Sequence, residues 1–287
     1  MPELPEVETV ARLIRPRLLG RTIVGAEIAW ERTLGALSEA EFRRGVLGAR
    51  IEAVRRRAKW IVVDLVRERE SAGHLLVHLR MSGRLHVVPH EEDPGPWCRV
   101  SLALDDGRDL CFVDVRKFGR MLFVEDPATV LAELGPEPLE ESFTPDWLRA
   151  ALKARRRALK PLLLDQTFLA GLGNIYVDEA LHLAKLHPTR LGASLDRPAV
   201  LRLHAAIREI LARAIEHEGS SFDPFYRTPE GQPGAYQDQF RVYGRQGQPC
   251  LTCGARIRKM VLATRGTHFC GRCQRPRPSD RARPDPS

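Results

Sequence analysis

The sequence predicts an α+β chain. Its first half reads as an antiparallel β-sandwich or barrel, and its second half as helices followed by a cysteine-bearing hairpin. Three observations lead there. Seven short strand-like runs occupy residues 51–124, separated by turn signals such as Asp105-Asp106-Gly107. Helical spacing replaces them after a Pro/Glu-rich stretch near residue 135. Four of the six cysteines then fall in two C-x2-C pairs near the C-terminal end.

The elements follow in order. Val7, Val10, Leu13, Ile14 and Leu18 repeat at helical spacing, and Gly20 closes that helix. Strands are expected at Ile51–Val54, Trp60–Val66, His74–Leu79, Arg84–Val88, Val100–Leu104, Leu110–Val113 and Arg120–Val124. Residues 1–134 thus form a first domain, and 135–142, beginning Gly135-Pro136-Glu137-Pro138, read as a linker. Helices are expected at Pro145–Lys153, Pro161–Thr167, Ile175–Ala184 and Arg197–His217 within a second domain, 143–240. Ser, Pro and Gly make 219–234 a mobile loop, a cysteine hairpin occupies 241–275, and the Pro/Arg/Asp-rich tail 276–287 is expected to be disordered.

A hydrophobic content of 43% in 287 residues allows real cores. No window approaches the ~18 consecutive apolar residues of a membrane span. The start MPELPEVE lacks an apolar signal-peptide core, so a cytoplasmic location is expected. The net charge of +8 is uneven. Residues 241–287 carry 11 Lys/Arg and 2 Asp/Glu, whereas the first 240 carry 34 and 35. Denser basic runs occur at Arg55–Lys59 and Lys153–Lys160. A polyanion is the natural partner of such patches, against the plainer alternative of a solvated charged surface.

Cys98 and Cys111 stand alone in apolar stretches and read as reduced core residues. Cys250, Cys253, Cys270 and Cys273 form C-x2-C-x16-C-x2-C. Each pair can bend two thiolates onto one ion, and four thiolates complete tetrahedral zinc. No ligand position remains for water, so the zinc is expected to be structural. Two disulfides or a redox pair are the alternatives; a cytosolic chain without a nearby βαβ pattern disfavours both.

The first residues have unusual chemical potential. Removal of Met1 before the small Pro2 leaves a secondary amine, and an α-amino group has a reference pKa of about 7.7–8.0. Helix-terminus polarity and partial desolvation lower it further. Such an amine can attack a sugar C1′ to give an iminium ion, with Glu3 as the acid that opens the ring. Pro and Glu are also ordinary helix-start residues, which is the structural alternative.

Met1-Pro2-Glu3-Leu4-Pro5-Glu6-Val7-Glu8-Thr9 resembles the start of bacterial formamidopyrimidine-DNA glycosylases. So do Arg57-Ala58-Lys59, His78-Leu79-Arg80-Met81-Ser82-Gly83 and Asp114-Val115-Arg116-Lys117-Phe118-Gly119. Leu163-Leu164-Asp165-Gln166, Gly171-Leu172-Gly173-Asn174-Ile175-Tyr176 and Val242-Tyr243-Gly244-Arg245 continue the match in order, to about residue 274. The resemblance implies an N-terminal antiparallel β-sandwich with flanking helices and a C-terminal helix–two-turn–helix domain with a four-cysteine zinc β-hairpin. It implies a bifunctional DNA glycosylase/AP lyase of base excision repair, a monomer acting on duplex DNA with oxidised purines or abasic sites, in the bacterial cytoplasm and at the nucleoid.

The resemblance also implies roles. Pro2 is the nucleophile and Glu3 the general acid. Lys59 assists the elimination proton transfers, or contacts phosphate only. Arg265 grips phosphates flanking the lesion. Met81, Arg116 and Phe118 fill the void left by the extruded base; core packing is the alternative for Met81 and Phe118. Asn174 is expected as an N-cap at a phosphate-binding helix terminus, with Arg155 and Lys160 adding phosphate contacts from the preceding helix. Residues 219–234 correspond to the lesion-covering loop.

The sequence departs from the family pattern in places. Val115 replaces a usual Pro, Arg80 a usual Gly, and Trp97 a common DNA-contacting His; Phe222, Phe225 and Tyr226 make the loop rich in aromatics. An endonuclease VIII-like enzyme for oxidised pyrimidines is the nearest alternative. A non-catalytic zinc DNA-binding relative is the alternative from another class.

Overall fold

The computed structural model describes residues 1–221 and 226–276. Phe222, Phe225 and the tail from Arg277 onward lie outside the described residues. Among the described residues no helix is long and apolar enough to cross a membrane. The chain divides into two compact units, one of residues 1–133 with 215–237 and one of 134–214 with the segment from 238 onward.

The first unit is a β-sandwich. Strands β1 (Ile23–Ile28), β6 (Cys98–Leu104), β7 (Arg108–Asp114) and β5 (Gly83–Pro89) form one antiparallel sheet in that order. Strands β2 (Arg50–Arg57), β3 (Trp60–Arg67), β4 (Glu70–His78) and β8 (Arg120–Val124) form the other. One apolar cluster draws on both, including Val63 and Val77 from one sheet and Val100, Leu102 and Phe112 from the other. Each such side chain contributes roughly 1.5–3 kcal/mol on burial. Helix α1 (Leu4–Leu18) adds Val7, Val10, Ile14 and Leu18 to this core, and α2 (Glu39–Val46) adds Phe42 and Val46. A short α3 (Ala128–Leu131) follows.

Contacts orient α1. Glu8 pairs with Arg56 of β2 at 2.7 Å, and Arg15 Nε donates to the Val54 carbonyl at 2.7 Å. Moving up the helix therefore means moving back along β2. The helix start lies at the same end as the β2–β3 turn.

The second unit holds α4 (Pro145–Lys153), α5 (Leu159–Leu163), α6 (Asn174–Leu183), most of α7 (Arg197–Glu216) and the hairpin β9 (Ile257–Leu262) with β10 (Arg265–Cys270). Gln166 braces the turn between α5 and α6. Its Nε2 donates to the carbonyls of Leu164 and Leu172, both at 2.9 Å, and its Oε1 accepts from the Gly171 amide.

Several details depart from the sequence reading. β1 and α2 form where no element was expected. The stretch 135–142 is packed rather than a free linker: the Gly135 amide donates to Gln166 O at 2.8 Å, and Arg208 reaches the carbonyls of Pro138 and Glu140. The described residues of the 219–234 loop, 219–221 and 226–234, group with the first unit, not with the helices. Cys111 is a fully buried free thiol, as expected, whereas Cys98 is only half-buried. A bulge between Cys98 and Val100 shifts the alternation of β6, so both cysteines lie on the sheet face that carries Ser101 rather than in the core between the sheets.

Candidate active site

Pro2 and Glu3 are buried, and Glu3 caps the start of α1. The Glu3 amide donates to Glu6 Oε2 at 2.8 Å. The other Glu6 oxygen accepts from the Ser220 amide at 2.7 Å and from Ser220 Oγ at 3.3 Å. Glu6 is 2% exposed and thus ties the first turn of α1 to segment 219–221. Gly219 makes room for this contact. It has φ +76, and a Cβ there would meet Glu6 Oε1 at 2.7 Å. Tyr226 is buried on the same unit, with its hydroxyl donating to Glu218 O at 2.9 Å. Glu6 and Ser220 escaped the sequence reading; only the capping-box spacing from Glu3 to Glu6 hinted at the first.

Lys59 occupies the two-residue turn between β2 and β3, closed by the Arg57/Trp60 pair, with Ala58 left-handed at φ 53. Its side chain is 6% exposed. The next strand pair sets Trp60 against His78, with the rings edge-on at 4.8 Å. Burial, then Arg80 and Lys59, push the His78 imidazole down to about 3, so it is neutral at physiological pH. The Arg80 amide donates to His78 Nδ1 at 3.0 Å, which leaves the ring proton on Nε2. The α1 orientation brings Pro2 and Glu3 to the same end of the sandwich as this turn.

Asp114 organises the three residues expected to fill the DNA void. It is 1% exposed. Its Oδ1 accepts from Ser82 Oγ at 2.5 Å and from the Arg116 amide at 3.2 Å, and its Oδ2 accepts from the Gly119 amide at 2.7 Å. Ser82 follows Met81, and Arg116 and Gly119 bracket Phe118. One buried carboxylate therefore holds both loops. A Cβ at Gly119 would meet Phe112 Cζ at 2.4 Å. Met81 is 39% exposed and Phe118 49%, which excludes core packing for both. The Arg116 guanidinium lies 5.1 Å from the Phe118 ring centre. Val115 is itself exposed, and the Asp114 bonds restrain the loop without the usual proline. Trp97 is exposed beside Arg99, and its carbonyl accepts from the Asp114 amide at 2.9 Å.

In the second unit two expectations are corrected. Lys160 is not a surface phosphate contact: it is fully buried, with Nζ 2.7 Å from Asp178 Oδ1 and 2.9 Å from the Gly266 carbonyl. Asn174 is the first residue of α6, and Gly173 is the N-cap. Asn174 Nδ2 instead donates to the Gly266 carbonyl at 3.1 Å, while its buried Oδ1 meets no partner among the described residues. Arg155 is exposed just past α4, its guanidinium over Phe168.

Arg265 is exposed at the first position of β10. The turn before it places Ala263 and Thr264 at φ 48 and 61, an unfavourable geometry for a β-branched residue. The Gly266 carbonyl, one residue on, is the point that Lys160 and Asn174 hold. Asp178 also accepts from the His268 amide at 2.8 Å, and Glu179 accepts from the amides of Arg241, Val242 and Tyr243 at 2.8–2.9 Å. Two buried acids of α6 thus anchor the hairpin and the segment 241–243 that leads toward it.

The sulfurs of Cys250, Cys253, Cys270 and Cys273 all lie within 4.8 Å of one another. Four sulfurs about 2.3 Å from a central zinc stand about 3.8 Å apart. The Cys250–Cys273 and Cys253–Cys270 separations of 4.0 and 3.5 Å match that cage. Four ligands leave no open position, so the chain binds one structural zinc ion here. His182 Nε2 lies 3.5 Å from Cys250 Sγ, a further support for that ligand.

Three family models cover most of the chain. They are the formamidopyrimidine-DNA glycosylase N-terminal domain over residues 1–121, its H2TH domain over 134–225, and the zinc finger found in FPG and IleRS over 247–276. Together with the fold they define the class, a zinc-finger DNA glycosylase. A formamidopyrimidine-DNA glycosylase of Chloroflexus aggregans is 47% identical over 96% of this chain and 98% of its own length. The crystal structure of the MutM (Fpg) protein from Thermus thermophilus superposes with a TM-score of 0.84 at 41% identity, covering 95% of this chain and 98% of that one. A Lactococcus lactis Fpg mutant in complex with DNA containing Fapy-dG gives 0.88 at 35% identity, over 96% and 100%. The chain belongs to the formamidopyrimidine-DNA glycosylase family.

Proposed function

We propose that this chain is a DNA glycosylase/AP lyase that excises oxidised purines through Pro2 and then cleaves the strand by β- and δ-elimination. One observation carries the reading: Pro2 and Glu3 are buried at the end of the sandwich where the Lys59 turn meets a neutral His78. Solved relatives bind DNA containing Fapy-dG, an abasic site or carbocyclic 8-oxo-G, which supports the substrate class.

Once Met1 is removed, the Pro2 nitrogen is a secondary amine. Its lone pair attacks C1′ of the damaged nucleotide, and the base departs. Glu3 protonates the ring oxygen, the sugar opens, and a charged iminium forms between Pro2 and C1′. That cation acidifies the C2′ proton, so the 3′-phosphate leaves; a second elimination releases the 5′-phosphate. Lys59, largely out of water, serves these proton transfers. Met81, Phe118 and Arg116 occupy the gap in the duplex, with apolar atoms between base steps and the guanidinium on the unpaired partner. Arg265, Arg155 and the first turn of α6 at Asn174 hold phosphates. Zinc enters no chemical step and fixes the hairpin that carries Arg265. The protein works as a monomer in the cytoplasm, on the nucleoid.

Excision assays on 8-oxoguanine opposite cytosine and on thymine glycol test the substrate choice. The reading expects the first to be cleaved much faster, leaving phosphate at both ends of the gap. Preferential cleavage of thymine glycol would move the enzyme to the pyrimidine branch.

A further inference from the structure

Two guanidinium groups flank the Met81 and Phe118 side chains and have no acidic partner among the described residues. Arg80 immediately precedes Met81, and Arg120 follows Phe118 by two residues. Both are tied to His78. The Arg80 amide donates to His78 Nδ1 at 3.0 Å, and Arg120 is directly opposite His78 across β4 and β8. Directly opposed residues share a sheet face, with Cβ atoms about 4.5–5.5 Å apart. Trp60, opposite His78 on β3, completes that cross-strand row and joins it to the Lys59 turn.

The backbone fixes both positions. Arg80 has φ 54, a left-handed conformation that favours glycine. Its turn is held at each end, by the bond to His78 and by the Gly83 amide donating to Leu79 O at 2.9 Å. Arg120 Nη1 donates to the carbonyls of Phe118 and Gly119 at 3.2 and 2.9 Å. That braces one edge of its guanidinium, and Nε and Nη2 are uncommitted among the described residues. The exposed Arg80 guanidinium makes no hydrogen bond and no ion pair among the described residues. Asp114, the buried carboxylate of these loops, is committed to Ser82, Arg116 and Gly119. Partial burial, and then Arg120, hold the Arg80 guanidinium below its usual value, as neighbouring like charges do. A strained backbone that carries an arginine, a second cation beside it and no carboxylate together describe a site for an anion.

We propose that Arg80 and Arg120 clamp one backbone phosphate of the damaged strand at the edge of the void-filling residues. The inference rests on the reading of the chain as a glycosylase of duplex DNA. A phosphodiester offers two non-bridging oxygens, one for each planar guanidinium fork. Its negative charge relieves the repulsion between the two arginines. The strand follows from the row: Lys59 serves the damaged sugar, and His78 lies between its turn and the arginines. Pinning a phosphate there steadies the backbone from which the nucleotide swings out while Met81 and Phe118 enter the gap. Arg80 and Arg120 are thus positioning residues and touch no reacting atom.

Binding of the zinc-loaded full chain to a duplex with a tetrahydrofuran abasic analogue, read by fluorescence anisotropy, tests the clamp. Arg80→Gly separates binding from folding, because the left-handed position favours glycine. It should melt no lower than the parent chain yet bind about tenfold more weakly, the size of one charged hydrogen-bonded contact. Arg120→Gln should weaken binding by a similar factor. Neutral methylphosphonate linkages, introduced one at a time, then locate the phosphate. One linkage on the damaged strand should weaken binding by the parent chain and have no effect on the double variant Arg80→Gly with Arg120→Gln. Parent-like binding by Arg80→Gly would overturn the clamp. So would a linkage pattern that the double variant leaves unchanged, or alters only on the undamaged strand. Excision of 8-oxoguanine by the parent chain is the separate check on the glycosylase reading; with it intact, these results refute the clamp alone. A parent chain unable to bind the duplex would overturn both.

Discussion

Replacing Lys160 with Met separates two roles that its sequence context leaves mixed. The ammonium is fully buried, 2.7 Å from Asp178 and 2.9 Å from the Gly266 carbonyl. Methionine keeps the volume but removes the charge, and Asp178 then retains the His268 amide and no cation from α5. Breaking a buried pair in this way costs about 3–5 kcal/mol, a large part of the roughly 5–15 kcal/mol that holds a domain folded. Urea unfolding measures that loss directly. Asp178→Asn placed on the same background should recover part of it, because the stranded charge disappears. Salt titration of DNA binding supplies the contrast. Arg155→Gln, at an exposed contact, should flatten the dependence of log K on log salt by about 1 and leave stability within about 0.5 kcal/mol. If Lys160→Met showed the Arg155 pattern, with unchanged stability and a flatter salt slope, the assignment of Lys160 as a buried brace for the Arg265 hairpin would be wrong.

Two further outcomes follow from the first unit. His78 titrates from 6.5 down to about 3 in the folded chain, so the unfolded chain binds the extra proton between those values. Its contribution is fully present above pH 6.5 and is lost as pH falls toward 3, at up to roughly 1.4 kcal/mol per pH unit; acid unfolding of His78→Gln should be shallower in that window, and an identical profile would remove His78 as the cause. Gly219→Ala forces a left-handed alanine against Glu6 Oε1 at 2.7 Å and should cost about 1–3 kcal/mol with a matching loss of excision. Unchanged melting and activity in that variant would show that the Glu6–Ser220 tie is dispensable.

The parts of this molecule that local pattern encodes were readable from sequence. Short strand-like runs bounded by turn signals placed β3 and β5 within a residue or two of their observed ends, and the helical pattern from Pro145 to Lys153 placed α4. The two C-x2-C pairs gave the zinc cage. Long-range pairing decided the remainder. Lys160 sits in a basic run, and nothing nearby shows that its partner is Asp178, 18 residues on. The Asn174 amide is drawn to Gly266, 92 residues away, so Gly173 is left to cap the helix. Cys98 reads as a core residue until the bulge at Arg99 turns it outward. Asp114 carried no signal in the sequence beyond its place in a motif, yet its carboxylate fixes the loops of Met81, Arg116 and Phe118.

The central claim is that the Pro2 nitrogen becomes covalently joined to the damaged sugar. Borohydride reduction during reaction with 8-oxoguanine duplex DNA tests it most directly. The account predicts a protein–DNA adduct that maps to Pro2 and disappears both in Pro2→Gly and when Met1 is retained. Undiminished trapping in those two forms, with the adduct on a lysine such as Lys59, would contradict it.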